Sequence, residues 1–192
     1  MSALTVLHWP AQQAAWESGL LALCTQVPPG GARETARADI RAAICEAAGQ
    51  LTGVGPERIE VAGTAGQRPR LLVDGEQCGI GISISHADTL SLAVLHRDGA
   101  VGADLMQIGL PVDWARVAHD YIGMTAATLL AASLDEQRPL AFCRAWVRLE
   151  AALKLDGEKL READAVSLQA AEGKRFIELA LPDGLTGVVA LD

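Results

Sequence analysis

The sequence predicts an α+β fold in which a long helix followed by strands occurs on each side of residues 105–110. Residues 33–51 and 138–155 carry apolar side chains at the three- and four-residue spacing of an amphipathic helix. Short apolar segments bounded by turn residues follow both helices and are typical of strands. A chain of 192 residues has room for one large domain or for two small halves that pack tightly together.

Each of the two long predicted helices has a defined end. In the first helix, Ile40 and Ile44 fall on one side, and Gly53 stands where the apolar pattern stops. The second helix ends at Gly157, a residue type that readily takes the left-handed backbone conformation that closes many helices. Residues 112–135 are predicted to form shorter helical pieces.

The remaining apolar segments are predicted to be strands joined by turns. Residues 90–95 and 101–106 form the clearest predicted hairpin, because an Asp-Gly pair lies in the short connection between them. In the second of these strands, alternation puts Asp104 and Met106 on the same face. Residues 1–23 are mixed in character. Further strands are predicted at residues 59–61, 70–74, 80–85, 165–169, 175–181 and 186–191.

Composition and charge exclude several classes of partner. The formal net charge is −8, whereas proteins that bind nucleic acid need clustered positive charge. No apolar run approaches the roughly 20 residues that span a bilayer. The first residues also lack the charged and apolar regions of a secretory signal. We therefore expect a cytoplasmic protein with neither nucleic acid nor a membrane among its partners.

The cysteines give no sign of a zinc site or a redox pair. None of them belongs to a C-x-x-C pair, and the four histidines add no zinc-like spacing. They are predicted to be small buried hydrophobic residues rather than catalytic thiolates. They are Cys24, Cys45, Cys78 and Cys143.

The most informative stretch lies on the second long helix. Trp146, Glu150 and Lys154 are spaced four residues apart, so on a helix their side chains form one stripe. Asp104 lies upstream on a predicted strand. Carboxylates for a metal ion and an ammonium group for a phosphate are what phosphoryl-group chemistry needs.

Each of these residues also has a plain structural interpretation when it is taken alone. Asp104 would then be a surface acid near the end of an exposed strand. Glu150 and Lys154 would form a surface ion pair worth about 0.3–0.5 kcal/mol. The arginines of the first helix, which are four residues apart, would form a solvated face. The order of the motifs along the chain is what favours a common function.

Three short motifs occur in an order that resembles the 4'-phosphopantetheinyl transferases, and more closely their pseudo-dimeric, surfactin-type branch. The resemblance runs from about residue 33 to residue 157. It includes Arg68-Pro69, which is similar to the Gly-Lys-Pro turn of that branch with Gln67 in place of glycine. The three motifs are Ser83-Ile84-Ser85-His86, Val101-Gly102-Ala103-Asp104-Leu105 and Trp146-x-x-x-Glu150-Ala151-x-x-Lys154.

The resemblance implies both a fold and an activity. The fold would consist of two similar α/β halves, residues 1–106 and 107–192, related by a pseudo-two-fold axis in one compact unit. The enzyme would transfer the 4'-phosphopantetheine arm of coenzyme A to a serine of an apo acyl, peptidyl or aryl carrier protein and release 3',5'-ADP. It would be a monomer, with Mg²⁺ as cofactor, coenzyme A as co-substrate and the apo carrier protein as partner.

The resemblance also implies catalytic roles for three residues. Asp104 and Glu150 would be metal ligands, since Mg²⁺ takes one or two carboxylates together with substrate phosphates. Glu150 would also be the general base, a role typically worth roughly 10²–10⁴ in rate. Lys154 would bind a phosphate of coenzyme A as a point charge.

A second group of residues would bind coenzyme A by the same resemblance. His86, together with Ser85, would bind a phosphate at the 3' position, and Arg68 would reinforce that contact. The family places cationic nucleotide contacts before and at the start of the first long helix. Arg33 and Arg37 are the candidates for this role here.

Two positions depart from the pattern of the family. Met106 stands where an acid often occurs two residues after the strand aspartate, and a thioether is a poor ligand for Mg²⁺. This departure predicts a weaker affinity for Mg²⁺ than relatives with three carboxylates have. Leu149 stands where the family usually has lysine, and Arg148 would point about 100° away from that position on a helix.

Docking of a carrier protein is predicted to depend on a local patch. Carrier proteins are generally acidic and this chain is acidic too, so long-range attraction between them should be weak or repulsive. The predicted patch consists of Arg138, Arg144 and Arg148 together with Ile122 and Met124.

Two other functions stay open at the level of the sequence. A non-catalytic relative would bind coenzyme A or a carrier protein without transfer, as Met106 and Leu149 would favour. The retained Asp104, Glu150 and Lys154 disfavour it, because a mere binding protein needs no metal ligands paired with a base. A Mg²⁺-dependent hydrolase acting on nucleotides would account for the acids but not for the Ser-x-Ser-His and Arg-Pro motifs.

Overall fold

The structure, a computed structural model, describes residues 3–10, 13–28, 30–64, 67–87, 89–162 and 173–192. It has the predicted α+β character. The strands are β1 (Leu4–His8), β2 (Leu20–Gln26), β3 (Ile59–Ala62), β4 (Arg70–Val73), β5 (Glu76–Gln77), β6 (Gly81–His86), β7 (Leu90–His96), β8 (Gly102–Gln107), β9 (Arg175–Ala180) and β10 (Leu185–Leu191). The helices are α1 (Arg33–Thr52), α2 (Trp114–Val117), α3 (Met124–Ala132) and α4 (Arg138–Asp156), with a 3₁₀ turn at Pro56–Arg58 and a π-helical turn at Ala118–Ile122. Within the described ranges, no helix is long and apolar enough to cross a membrane.

The two long helices match their predicted bounds to within one residue. α1 buries Ile40 and Ile44 on the side that faces the sheet. Gly53 and Gly157 follow the last residues of α1 and α4 with φ angles of 74° and 75°. A residue with a Cβ pays a steric cost in this left-handed region, which is why glycine stands at both ends.

In the part of the chain that the structure describes, seven strands form one sheet in the order β6-β7-β2-β1-β9-β10-β8. β1 is parallel to both of its neighbours, and the other pairs in this sheet are antiparallel. The edge strands β6 and β8 approach each other, where Ser83 Oγ accepts a hydrogen bond of 2.9 Å from the backbone N–H of Ala103. The large sheet is therefore nearly closed. β3, β4 and β5 form a separate small sheet.

The two faces of the large sheet pack against different surroundings. Leu21 and Leu23 of β2 contact α1, while the alternate positions of this strand belong to a second core on the opposite face. In β8, Ala103 and Leu105 belong to that second core. The predicted alternation in β8 is therefore confirmed, and Asp104 faces the side on which α4 packs.

Close packing of α4 on β8 depends on Gly102. A Cβ at this position would clash with the carbonyl oxygen of Ala151 and lie 2.6 Å from the backbone nitrogen of Leu155. Only glycine lets the helix backbone come this near to the strand. This close approach brings the stripe of Trp146, Glu150 and Lys154 on α4, called here the α4 stripe, next to the strand that carries Asp104.

The predicted hairpin between residues 90–95 and 101–106 is wrong, although both strands exist. β7 pairs with β2 along one edge and with β6 along the other, so it has no free edge for β8. β8 pairs with β10 instead. The Asp-Gly pair specifies a turn, but a turn by itself does not decide which strand comes to lie alongside. The hairpins of the large sheet join β6 to β7 and β9 to β10.

Most other predicted elements are confirmed. The strands expected at 59–61, 70–74, 80–85, 175–181 and 186–191 each end within one residue of the prediction, and residues 112–135 contain short helical pieces. The strand expected at 165–169 lies outside the described residues. β1, β2 and β5 are not among the predicted strands. β2 is an unbroken apolar run that is buried on both faces, and periodicity does not identify such a strand.

The same order of elements occurs twice around the large sheet. The first group is β2, α1, β6 and β7, and the second is β8, α4, β9 and β10. The strands of each group are neighbours in the same relative order, β6-β7-β2 and β9-β10-β8. α1 packs on β2 and β7, and α4 packs on the corresponding strands β8 and β10. β1 lies between the two groups.

The cysteines partly match their prediction. Cys24 and Cys143 are buried, whereas Cys45 and Cys78 are partly exposed, and all four are free thiols. Burial raises the pKa of Cys24 to about 11 and also raises the pKa values of Cys45 and Cys143. These three thiols are therefore protonated at neutral pH and poorly suited to act as nucleophiles.

Candidate functional site

A cavity of about 360 Å³, called here the central cavity, lies where α4 and the beginning of α1 meet β6 and β8. Met106 and Trp146 line it. It also brings together six of the eight residues that the sequence indicated as site residues. These are Arg33, Ser85, His86, Asp104, Glu150 and Lys154.

Two more cavities adjoin the central cavity, because they share lining residues with it. A cavity of about 440 Å³ is lined by Arg37 and shares His86 with the central cavity. A cavity of about 290 Å³ is lined by Arg68 and shares Glu150 and Lys154. The eight residues thus lie along one groove, although they come from five separate regions of the chain.

Asp104 on β8 is held by two donors. Its Oδ1 atom accepts hydrogen bonds from Ser85 Oγ at 2.6 Å and from Lys154 Nζ at 2.7 Å. The same Ser85 oxygen accepts a longer bond of 3.4 Å from the backbone N–H of Leu105. Asp104 is only 7 % exposed, and a buried carboxylate needs such partners. The Ser85 hydroxyl, which the resemblance assigns to a phosphate, is therefore bonded within the protein.

Glu150 on α4 is the second carboxylate of the central cavity. Burial raises its pKa above that of an ordinary glutamate, and the nearby Asp104 raises it further, while Lys154 acts in the opposite direction. In the described part of the chain, the Glu150 carboxylate has no hydrogen bond and no ion pair. Two carboxylates that repel each other, one of them unpartnered, suit a site that receives a cation.

The residues of the central cavity fit Mg²⁺ when a substrate phosphate completes the site. Asp104 and Glu150 supply oxygen ligands from two elements, and Mg²⁺ usually takes one or two carboxylates together with phosphates and water. Met106 lines the same cavity where a third acid would stand. Accordingly, the described residues contain no cluster of three His, Cys, Asp or Glu side chains that would hold a metal by themselves.

The ammonium group of Lys154 connects three parts of the site. Besides Asp104, it donates to the backbone carbonyl of Ala103 at 3.1 Å and to that of Ile84 at 3.4 Å. These carbonyls belong to β8 and β6, the two edges of the nearly closed sheet. An ammonium group has three donors, so Lys154 uses all of them on protein acceptors.

His86 lies in a cationic environment at the end of β6. Burial lowers its pKa, and the positive charges of Arg37, Arg33 and Lys154 lower it further. The Nδ1 atom of His86 is 2.8 Å from Ser91 Oγ, which fixes the orientation of the ring. Several cations that together disfavour one more positive charge form a natural site for an anion.

The arginines of α1 divide into two kinds. Arg33 and Arg37 line the groove and form no hydrogen bond or ion pair within the residues that the structure describes. Arg41 donates to the carbonyl of Val61 and, at 2.8 Å, to that of Gly63, so it attaches α1 to the small sheet. Two guanidinium groups therefore remain available for a ligand, and the third has a structural role.

Arg68 lies in the loop between β3 and β4 and reaches across the groove. Its Nη2 atom donates to the backbone carbonyl of Lys154 at 3.4 Å, near the C-terminal end of α4. The side chain is exposed, and the neighbouring Pro69 lines the same cavity. Arg68 therefore forms one wall of the groove beside the α4 stripe.

The residues next to Glu150 add no further positive charge to the cavity. Leu149 is buried, and Arg148 forms an ion pair with Glu178 at 3.3 Å while it stacks over Phe176. Arg148 therefore does not supply the positive charge that a lysine in place of Leu149 would bring. Trp146 contacts the rings of Phe142 and Tyr121 at centroid distances of 6.1 and 5.9 Å, and so anchors α4 beside the cavity.

Sequence analysis missed Ser91 as a member of the site. Ser91 is fully buried and lies opposite His86 in the register of β6 and β7. A correct assignment of the hairpin between residues 80–85 and 90–95 would have placed these two side chains together. The Asp-Gly turn signal drew attention to the following connection instead.

The chemistry of the groove must be inferred from its own residues. No protein-family model matches this chain, and no curated protein matches it. The groove combines two carboxylates on neighbouring elements, a lysine bonded to one of them and a separate group of cations. Such an arrangement can hold a polyphosphate, neutralise its charge and accept a proton from an attacking hydroxyl group.

Proposed function

We propose that this chain is a Mg²⁺-dependent 4'-phosphopantetheinyl transferase that acts on the serine of an apo carrier protein. The observation that carries the proposal is the convergence of the eight indicated residues on one groove. Asp104, Glu150 and Lys154 lie at its centre, and His86 with the arginines of α1 lies at one end. A pair of carboxylates for a metal ion with a separate group of cations in the same groove suits coenzyme A, which carries both a diphosphate and a 3'-phosphate.

The chemistry of transfer follows from these positions. The serine oxygen of the carrier forms a bond to the β-phosphorus of coenzyme A, and the bond from that phosphorus to the bridging oxygen breaks. The bridging oxygen leaves with the electron pair as part of 3',5'-ADP, and the serine proton passes to Glu150. Mg²⁺, when bound, supplies charge neutralisation at the diphosphate. The raised pKa of Glu150 makes this carboxylate a better proton acceptor than an exposed glutamate.

The repeated order of elements supports the proposed architecture. Two groups of strand, helix and hairpin, arranged in the same relative order, are what two halves related by a pseudo-two-fold axis would give. The proposed division into residues 1–106 and 107–192 falls before the last residue of β8, whereas the second group of the repeat begins with β8 at Gly102. We further propose that the enzyme is monomeric and works in the cytoplasm, where its carrier and coenzyme A would be found.

The alternative of a non-catalytic binding protein is disfavoured by Glu150. Its carboxylate is partly buried beside Asp104 and has no partner of its own among the described residues, and its raised pKa shows that the charged form is disfavoured there. A protein that only binds coenzyme A would gain nothing from this arrangement. A metal ligand that also accepts a proton explains it.

Intact-mass measurement tests the proposal. The protein is incubated with coenzyme A, Mg²⁺ and several apo carrier proteins, and the carriers are weighed. We expect at least one carrier to gain the mass of one phosphopantetheine arm, and the gain to disappear in EDTA. If coenzyme A binds but no carrier in a broad panel gains mass, the non-catalytic alternative is favoured.

Replacing Met106 by glutamate should strengthen the binding of Mg²⁺. Met106 lines the central cavity with Asp104 and Glu150, so a carboxylate there would add a third oxygen ligand. We expect the Mg²⁺ concentration for half-maximal activity to fall, by roughly tenfold, since affinity rises with the number of charged ligands. The matched control is Met106→Gln, which has the size and polarity of glutamate without its charge. An unchanged Mg²⁺ requirement in Met106→Glu would count against the assignment.

The arginines of the predicted docking patch differ in their availability. Arg138 is bonded to the carbonyls of Leu130 and Ser133 and stacks over Trp114, so it is occupied inside the protein. Arg148 is paired with Glu178, as described above. Arg144 is exposed and has no ion pair within the described part of the chain.

Arg144→Glu is therefore expected to raise the KM for an acidic carrier by roughly tenfold, since one charge reversal at an interface often has this effect. The KM for coenzyme A should not change, because Arg144 does not line the groove. Arg148→Glu serves as the comparison and should have the smaller effect. Steady-state kinetics with each substrate varied in turn would distinguish these outcomes, and an unchanged carrier KM for Arg144→Glu would remove this residue from the docking surface.

A further inference from the structure

The gap between β6 and β8 is bridged by side chains instead of a backbone ladder. Ser83 and Ser85 are two residues apart, so they lie on the same face of β6, and both are at most 5 % exposed. Ser83 Oγ accepts a hydrogen bond from the N–H of Ala103 and donates to its carbonyl at 3.4 Å. Among the described residues, Ser83 therefore bonds only to backbone groups, whereas Ser85 bonds to the side chain of Asp104.

The two oxygens of Asp104 have different environments. Oδ1 accepts from both Ser85 and Lys154, whereas Oδ2 has no hydrogen bond to any residue that the structure describes. Among the described residues, Thr25 Oγ1 is the one fully buried side-chain oxygen or nitrogen without a hydrogen-bond partner. Because Oδ2 of Asp104 also has no partner, it is not fully buried. One carboxylate oxygen is thus fixed by the protein, and the other is accessible in the central cavity beside Glu150.

The hydroxyl group of Ser85 is fully used in this arrangement. Its single proton is donated to Asp104 at 2.6 Å, and its oxygen accepts the N–H of Leu105 at 3.4 Å. To donate to a phosphate of coenzyme A, Ser85 would have to release a buried carboxylate. Releasing it would leave Asp104 with Lys154 as its one remaining partner among the described residues, at a cost in free energy.

We propose that Ser85 is a positioning residue for the metal ligand, and that it does not contact coenzyme A. With Lys154, it holds Oδ1 of Asp104, so that Oδ2 is the oxygen presented to the divalent ion. This inference rests on the proposed function, because it concerns the Mg²⁺ that the transfer requires. Partners that hold a ligating carboxylate in place typically change metal affinity by roughly 10–100-fold when they are removed.

The test uses Mn²⁺ as a probe of the metal position and requires no turnover. The Mn²⁺ affinity of the protein with coenzyme A bound is measured by electron paramagnetic resonance, without a carrier protein. Coenzyme A affinity is measured separately in EDTA by calorimetry. The variants are Ser85→Ala and Ser85→Cys, which remove or weaken the donor, and the matched control is Ser83→Ala in the same strand.

We expect both Ser85 variants to bind Mn²⁺ at least tenfold more weakly, while their affinity for coenzyme A in EDTA stays within twofold of wild type. Ser83→Ala should keep the wild-type affinity for Mn²⁺. If a folded Ser85 variant keeps the Mn²⁺ affinity of wild type, the inference is overturned. If it loses coenzyme A affinity in EDTA instead, the inference is also overturned and Ser85 is a ligand contact. If the wild-type protein binds neither Mn²⁺ nor coenzyme A, the proposed function itself fails, which is a different result.

Discussion

Replacing Glu150 by glutamine is expected to reduce transfer of the phosphopantetheine arm at least hundredfold and, at the same time, to stabilise the metal-free protein. The loss of activity follows because glutamine cannot accept the serine proton, and general base catalysis typically contributes roughly 10²–10⁴ in rate. The gain in stability follows from the partly buried position of Glu150 beside Asp104, which raises its pKa. The two effects have opposite signs, which separates this variant from one that is merely misfolded.

The stability effect of Glu150→Gln has a defined dependence on pH. Because the pKa of Glu150 is raised in the folded state, the unfolded chain releases this proton first as pH rises. Wild type therefore loses stability between the ordinary glutamate pKa and the raised one, and the loss is complete above both. The variant does not suffer this loss. Its Tm in EDTA should exceed that of wild type by about 2–4 °C at pH 7, the shift that about 1 kcal/mol produces in a chain of this size.

The advantage of Glu150→Gln should disappear below the ordinary pKa of a glutamate, where wild type is protonated as well. Thermal unfolding in EDTA at several pH values, together with intact-mass assays at saturating coenzyme A and Mg²⁺, would measure both effects. The control is Glu136→Gln, at an exposed position before α4, for which neither Tm nor activity should change. A variant with wild-type activity would remove Glu150 from the role of base.

Lys154→Met is expected to have the largest effect on stability. Its ammonium group bonds to Asp104, whose side chain is 10 % exposed, and to carbonyls on both edges of the nearly closed sheet. Loss of one partner of a buried ion pair costs about 3–5 kcal/mol. Since the side chain of Lys154 is 30 % exposed, we expect about 2–3 kcal/mol and a fall in Tm of roughly 5–10 °C. Transfer should also be lost.

Arg148→Met on the same helix is the matched control for this stability effect. Its ion pair with Glu178 is about half exposed, and such pairs contribute about 0–1 kcal/mol. A double-mutant cycle of Lys154→Met with Asp104→Asn should give a coupling free energy of at least about 1 kcal/mol, because the two side chains are in contact. Equal Tm values for Lys154→Met and Arg148→Met would contradict the role of Lys154 at the junction of β6 and β8.

The helices of this fold were predictable because they carry local signals. Ile40 and Ile44 repeat at helical spacing, and Gly53 and Gly157 mark the ends of α1 and α4. The pairing of strands was not predictable in the same way. β7 pairs with β2 and β8 pairs with β10, so these partners come from distant parts of the sequence. An Asp-Gly turn records only the local direction of the backbone.

The site was predictable in its members but not in its bonding. Helical spacing puts Glu150 and Lys154 on one stripe, and strand alternation gives the face of Asp104. That Lys154 donates to Asp104, fifty residues away, depends on how closely α4 packs on β8. The same holds for Ser85, whose bond to Asp104 arises because two sheet edges approach each other. Such contacts between distant elements are set by tertiary packing.

The most direct test of the central claim is the anomalous diffraction of crystals grown with coenzyme A and Mn²⁺. The claim is that Asp104 and Glu150 bind one divalent ion together with the diphosphate of coenzyme A. We predict a single anomalous peak in the central cavity, with an oxygen of each carboxylate and a diphosphate oxygen in its first coordination sphere. A diphosphate bound elsewhere on the protein, or a peak that touches neither carboxylate, would contradict the account.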